Sequence, residues 1–299
     1  MAIQILDAND TTLLVPRSLK VVGDRLFVKD DINQNIRAID RHDGTLLWSY
    51  GVEGAGPGEV GNVAAFQVGQ NGDVWILDSK NRKFLVLTAD GQLASELSLS
   101  HLGLIPDAFV ALSDSVLFPT AWPDRGWIWL SRSSLQVLST ERHPWPEPLS
   151  YDQNLRVSTY SGATTGRELW VVAFSLGPGF FIGDEGQVSP YQYVEHVPFA
   201  FKVSPQLRAA GADSARFAAL SVSIVHGEIF MLFGGRPVRR VHPGEPTELI
   251  DVYDTRGAYQ RSYGLPFDSW SMDTSDGQTF YFLTQADSLP ALFGLKLRN

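Results

Sequence analysis

Residues 26–44 open with Leu26-Phe27-Val28-Lys29-Asp30 and end on Asp43-Gly44; residues 74–91 open with Val74-Trp75-Ile76-Leu77-Asp78 and end on Asp90-Gly91. Each copy is an apolar run closed by Asp, a short loop carrying Asn33 or Asn81, a second apolar run (36–40, 84–88) and an Asp-Gly turn. Corresponding positions lie 47 or 48 residues apart, the difference being one residue inserted before the turn. A repeat of 40 to 50 residues built from short strands and turns marks a propeller, in which each four-stranded sheet is one blade.

Outward from this pair the period continues in weaker form. Asp184-Glu185-Gly186 follows Phe180-Phe181-Ile182, Thr255-Arg256-Gly257 follows residues 250–254, and Trp127-Ile128-Trp129-Leu130 with the Ser133-Ser134 turn fills the place between. Alternation in 229–233 sets Ile229, Met231 and Phe233 against Phe230 and Leu232, apolar on both faces, as expected of a sheet sandwiched between neighbours. The expected blades are residues 13–55, 62–103, 105–147, 154–198, 214–267 and 268 to the end. Residues 205–219 are the one stretch allowing a turn or two of helix.

The last blade has candidates for three strands only, at 270–273, 279–284 and 292–297. Ile3-Gln4-Ile5-Leu6 at the amino terminus supplies the fourth, which removes an open edge. The expected fold is therefore all-β: one six-bladed β-propeller domain over residues 1–299, closed by the N-terminal strand joining the C-terminal blade.

Composition narrows function. At 299 residues, 44% hydrophobic and 19% charged, the chain has material for a large core. Its formal charge of −9 disfavours a nucleic-acid partner, whose phosphates are bound through clustered Lys and Arg. With no cysteine there is no disulfide, thiol nucleophile or Cys-based metal site. No window reaches the roughly 18 apolar residues that span a bilayer. Residues 1–10 show no signal peptide, an absence that weighs little against export.

The run Gly54-Ala55-Gly56-Pro57-Gly58-Glu59, followed by 74–78, Asn81-Arg82 and Asp90-Gly91, resembles the NHL-repeat group of six-bladed propellers, with the likeness confined to the first two blades. That group holds scaffolds, bacterial envelope proteins and a few enzymes, so it implies fold better than chemistry. Ala38-x-Asp40-x-x-Asp43-Gly44-x-x-x-Trp48 is also similar to the tryptophan-docking repeat of quinoproteins, which needs a copy in most blades and has one here. Trp48 is accordingly expected to pack between blades.

A nucleophile turn of the G-x-S-x-G kind is absent, and the six histidines are dispersed without an H-E-x-x-H pair. Calcium-bound lactonases of this fold set acidic and Asn side chains around the central channel, and the likeness offers Asp30, Asn33, Asp78 and Asn81, with Asp124 and Asp287 beyond them. Against this, an Asp closing a strand and an Asn in the next loop bond readily to local backbone. Two loops are rich in Trp and Pro, at 122–127 (Trp122, Asp124, Arg125) and 143–148 (Trp145), and Arg236, Arg239 and Arg240 form the one dense basic patch. Rigid Trp and bidentate Arg suit protein contacts.

By strand order, loops 30–33, 54–59, 80–82, 122–125 and 236–240 share one rim. The expected function is a non-catalytic protein-binding scaffold without cofactor, periplasmic or elsewhere in the cell envelope, such as an extrinsic subunit of a membrane-embedded complex. The alternative is a Ca-dependent lactonase-like hydrolase using the central channel.

Overall fold

Strand β3 (Arg25–Asp30) shows why both faces of these sheets are apolar. Phe27 enters one buried cluster with Ile36, Ala38, Val63, Phe66, Val74, Ile76, Leu85 and Leu87, whereas Leu26 and Val28 enter another with Leu19, Val21, Ile39, Tyr281, Leu283 and Leu292. Successive side chains of a strand point to opposite faces, so a sheet with a neighbour on each side needs a continuous apolar run. Truncating a buried aromatic such as Phe27 to Ala costs about 3–5 kcal/mol.

The computed structural model describes residues 2–6, 13–103, 108–111, 114–119, 127–141, 157–164, 167–174, 179–182, 188–191, 219–233, 247–286 and 289–297. They fall into two compact units, 1–107 with 268–299, and 108–267.

The first unit holds three sheets. The first blade is β2 (Pro16–Val22), β3, β4 (Asn35–Asp40) and β5 (Leu46–Tyr50). The second is β6 (Val63–Val68), β7 (Val74–Asp78), β8 (Lys83–Leu87) and β9 (Leu93–Ser98). The last blade contains β22 (Ser271–Asp273), β23 (Thr279–Ala286) and β24 (Leu289–Lys296), completed by β1 (Ala2–Leu6), which pairs antiparallel with β24. Closure of the last blade by the amino-terminal strand is thus as the sequence predicts.

The second unit holds β10 (Val110–Ala111), β11 (Ser115–Pro119), β12 (Trp127–Ser131) and β13 (Val137–Glu141) in one sheet. Its second sheet has eight strands: β14 (Val157–Thr164), β15 (Arg167–Phe174), β16 (Gly179–Ile182) and β17 (Val188–Tyr191), then β18 (Ala219–Val225), β19 (Glu228–Phe233), β20 (Thr247–Asp254) and β21 (Tyr259–Ser269). These are two antiparallel four-stranded meanders joined by one parallel bridge, Ala163 to Val225. With the four separate sheets they give, among the described residues, six four-stranded repeats in five sheets, an all-β pattern of the propeller class. Strand β21 runs two residues past the expected blade boundary at 267. Of the stretch 205–219, where the sequence allows a turn or two of helix, residues 205–218 lie outside the described residues and Ala219 begins β18.

The turn between third and fourth strands recurs in four blades. The amide of Asp40, Thr88, Ser131 and Asp254 donates to the carbonyl of Thr45, Gln92, Gln136 and Ala258 respectively, at 2.8 to 2.9 Å. A residue at positive φ follows each: Gly44 at 78°, Gly91 at 76°, Leu135 at 54° and Gly257 at 82°. The Asp-Gly turn of the repeat is the sequence trace of this left-handed position, which Gly adopts without steric cost.

Candidate functional site

Asp30 and Asp78 end the second strand of their blades, and both are fully buried. Asp30 accepts hydrogen bonds from the amides of Leu14 (2.7 Å), Val15 (3.3 Å), Ile32 (3.1 Å) and Asn33 (3.3 Å), and from Asn33 Nδ2 (3.3 Å). Asp78 accepts from the amides of Gly61 (2.8 Å), Asn62 (3.0 Å) and Asn81 (3.1 Å), and from Asn81 Nδ2 (2.7 Å). Each carboxylate therefore ties the segment entering the first strand of its blade to the loop leaving the second.

A carboxylate offers about four lone-pair sites. Five donors fill those of Asp30 and four those of Asp78, so neither has an oxygen to spare for a hard cation. Among the described residues no group of three or more Asp, Glu or His side chains is arranged to hold a metal. Asp30 with Asn33 and Asp78 with Asn81 form two separate backbone clamps, and this donor set does not fit a shared Ca²⁺. In the last blade Thr284 takes the corresponding place and reverses the polarity, its hydroxyl donating to the Asp268 carbonyl.

The clamps gather three of the expected rim loops. Asn81 Nδ2 also donates to the Gly54 carbonyl (2.8 Å), Gln34 Oε1 accepts from the Val63 amide (2.8 Å), and Ser79 donates through its amide to the Asn62 carbonyl (3.2 Å). Loop 54–59 is fixed again from below. Tyr50 donates its hydroxyl to the Gly58 carbonyl (2.7 Å), Lys83 Nζ reaches the Gly56 carbonyl and Glu96 (both 3.0 Å), and Gly58 donates its amide to Glu96 (2.9 Å). The Glu96 carboxyl lies below the usual carboxylate range, first through the Gly58 amide and then through Lys83.

This rim presents apolar side chains to solvent: Leu14 is 45% exposed, Ile32 64% and Val52 70%. Leu14 and Ile32 leave the same Asp30 clamp. Gln34, Lys83, Glu96 and Tyr50 were not legible as site residues, because a long polar side chain in a strand or loop reads as solvated surface. Trp122, Asp124, Arg125, Trp145, Arg236, Arg239 and Arg240 lie outside the described residues.

Repeat, clamps and blade cores define a β-propeller, and comparison with known proteins agrees. A family model described as a 6-bladed beta-propeller matches residues 5–118. No curated protein matches the chain in sequence. Among solved structures, a Bacteroides fragilis protein described as exported superposes with a TM-score of 0.63 at 11% identity, over 100% of this chain and 95% of its own. A Bacteroides vulgatus protein gives 0.66 at 9%, over 98% and 95%. Virginiamycin B lyase from Staphylococcus aureus gives 0.53 at 12%, over 100% and 99%. Likeness at such identities establishes fold alone.

Proposed function

We propose that the protein is a non-catalytic binding platform whose rim, formed by residues 13–15, 31–34, 51–62 and 79–82, docks a protein partner. The observation behind this reading is the pairing of rigidity with exposure: Leu14, Ile32 and Val52 face solvent on loops whose backbones are clamped by Asp30, Asp78, Lys83 and Glu96. A contact surface ordered before binding loses little conformational entropy on association. Side chains on loops held by a rigid scaffold are where recognition concentrates.

Trp122, Asp124, Arg125, Trp145, Arg236, Arg239 and Arg240 are proposed as further partner contacts, with Trp and Arg as the anchors. The finer family assignment is the NHL-repeat-like group, on the likeness of residues 54–91. The cell envelope is the proposed location, with the chain an extrinsic subunit of a membrane-embedded complex; among the described residues no helix is long and apolar enough to cross a membrane. Nothing in the bonding of Asp30 and Asp78 favours the calcium-dependent hydrolase.

The test is mild-detergent extraction of the tagged chain from its own cells, followed by mass spectrometry of intact assemblies. A stoichiometric membrane complex, lost on combining Ile32→Glu with Val52→Glu while the melting midpoint is unchanged, is expected. Recovery of the chain alone would overturn the proposal.

A further inference from the structure

Asn71-Gly72, in the turn between β6 and β7, is the one Asn-Gly pair in the sequence. Val68 pairs with Val74 at the base of this turn. Within it the Gly69 amide donates to the Asp73 carbonyl (2.8 Å) and the Gly72 amide to the Gly69 carbonyl (2.9 Å). Gly72 has a φ of 85°, and a Cβ there would stand 3.0 Å from that of Ala89. The turn lies at the opposite end of β7 from the rim residues 79–82.

Asn71 is exposed, yet its side chain is held at both ends by one residue. Its Nδ2 donates to Asp73 Oδ2 at 2.7 Å, and its Oδ1 accepts from the Asp73 amide at 3.3 Å, the Asx arrangement that tightens turns. Gly69 leaves room for this fold-back, since a Cβ there would lie 2.9 Å from Asn71 Oδ1.

Asn is a labile residue, and most so before Gly, where no side chain shields the next backbone nitrogen. That nitrogen, once deprotonated, attacks the Asn Cγ. The new N–Cγ bond closes a succinimide, the Cγ–Nδ2 bond breaks, and Nδ2 leaves as ammonia after taking back a proton from water. Water then adds to the ring and opens it to aspartate or isoaspartate, so the net change is one water consumed and one ammonia released. Asp43, Asp90 and Asp276 also precede Gly, but a carboxylate is a far poorer electrophile than an amide, which singles out Asn71.

We propose that Asn71 is a deamidation site which the native turn holds closed, with Asp73 as its guard. The Gly72 N–H that must be given up is already donated to the Gly69 carbonyl. The departing Nδ2 has to gain a proton, whereas Asp73 Oδ2 only accepts from it. The Asp73 charge also opposes negative charge on the nearby Gly72 nitrogen. Reaction therefore waits on local opening of the turn. Its product sets a second carboxylate against Asp73 where a hydrogen bond stood, so the turn does not close again as before.

The full chain, folded or in guanidinium chloride, is incubated at mildly alkaline pH while conversion of Asn71 is followed by peptide mass mapping. Folded wild type should convert about ten-fold or more slowly than the unfolded chain. Asp73→Ser should convert about five-fold faster than wild type when folded, the worth of one net hydrogen bond, and at the wild-type rate when unfolded. Asn71→Asp, which carries the product's carboxylate, should melt below wild type and lose amide protection at Gly72. Equal rates in folded and unfolded wild type, no acceleration in folded Asp73→Ser, the same acceleration with that variant unfolded, or an Asn71→Asp protein as stable as wild type would each overturn the assignment. If Asp73→Ser does not fold, the wild-type ratio and Asn71→Asp decide it.

Discussion

The indole of Trp48, on the fourth strand of the first blade, donates to the carbonyl of Ala89 in the second blade at 3.0 Å, and its Cδ2 lies 2.6 Å from where a Cβ on Gly91 would stand. Arg25 grips the same turn through the Ala89 carbonyl and Asp90. One blade thus docks on the Asp-Gly turn of the next, and Gly91 is required twice, for its φ of 76° and for the ring above it. Gly91→Ala should lower stability by about 2–4 kcal/mol, combining left-handed strain with displacement of the ring. Trp48→Phe, which keeps most of the packing, should lose only about 1 kcal/mol. Urea unfolding of the two variants checks the order.

Asp78→Asn keeps the shape of the side chain but replaces one accepting oxygen by a donor facing amides. It should cost about 2–4 kcal/mol in urea unfolding, because buried N–H groups of Gly61 or Asn62 lose their acceptor. The melting midpoint of the wild type should not respond to Ca²⁺ or EDTA. A rise of several degrees with Ca²⁺, lost in Asp78→Asn, would restore the metal reading.

Period and strand composition carried most of the fold, because a strand between two blades must be apolar throughout and a turn with a left-handed residue selects Gly. The first two blades were legible residue by residue through Asp30, Asp78, Gly44 and Gly91. The site was less so. Asp30 and Asp78 are the same residue type whether they hold a metal or an amide, and only the five and four donors around them decide.

Leu135 fills the left-handed place that Gly holds in three sister turns, with φ at 54° and its side chain buried. Leu135→Gly would relieve about 1 kcal/mol of backbone strain but remove a buried side chain worth about 2–5 kcal/mol. Net destabilisation is expected, measured as a lower urea midpoint. A stabilised variant would mean that the side chain contributes little packing there.

Glu96 links loop 54–59 to pH. The Gly58 amide and the Lys83 ammonium hold its carboxyl below the usual range against the opposing effect of burial. A carboxyl depressed in the folded state stabilises above its unfolded value of about 4.3, and that contribution is lost as pH falls through the folded value. Wild type should therefore exceed Glu96→Gln in stability at neutral pH, by less than about 1 kcal/mol because the group is partly solvated. The gap should close as the pH is taken below about 4, and exchange of the Gly58 amide, corrected for its intrinsic pH dependence, should lose protection over the same interval. If the gap were independent of pH, the ionised carboxylate would not be what fixes the loop, and residues 54–59 would owe their rigidity to Tyr50, Lys83 and the Asp78 clamp.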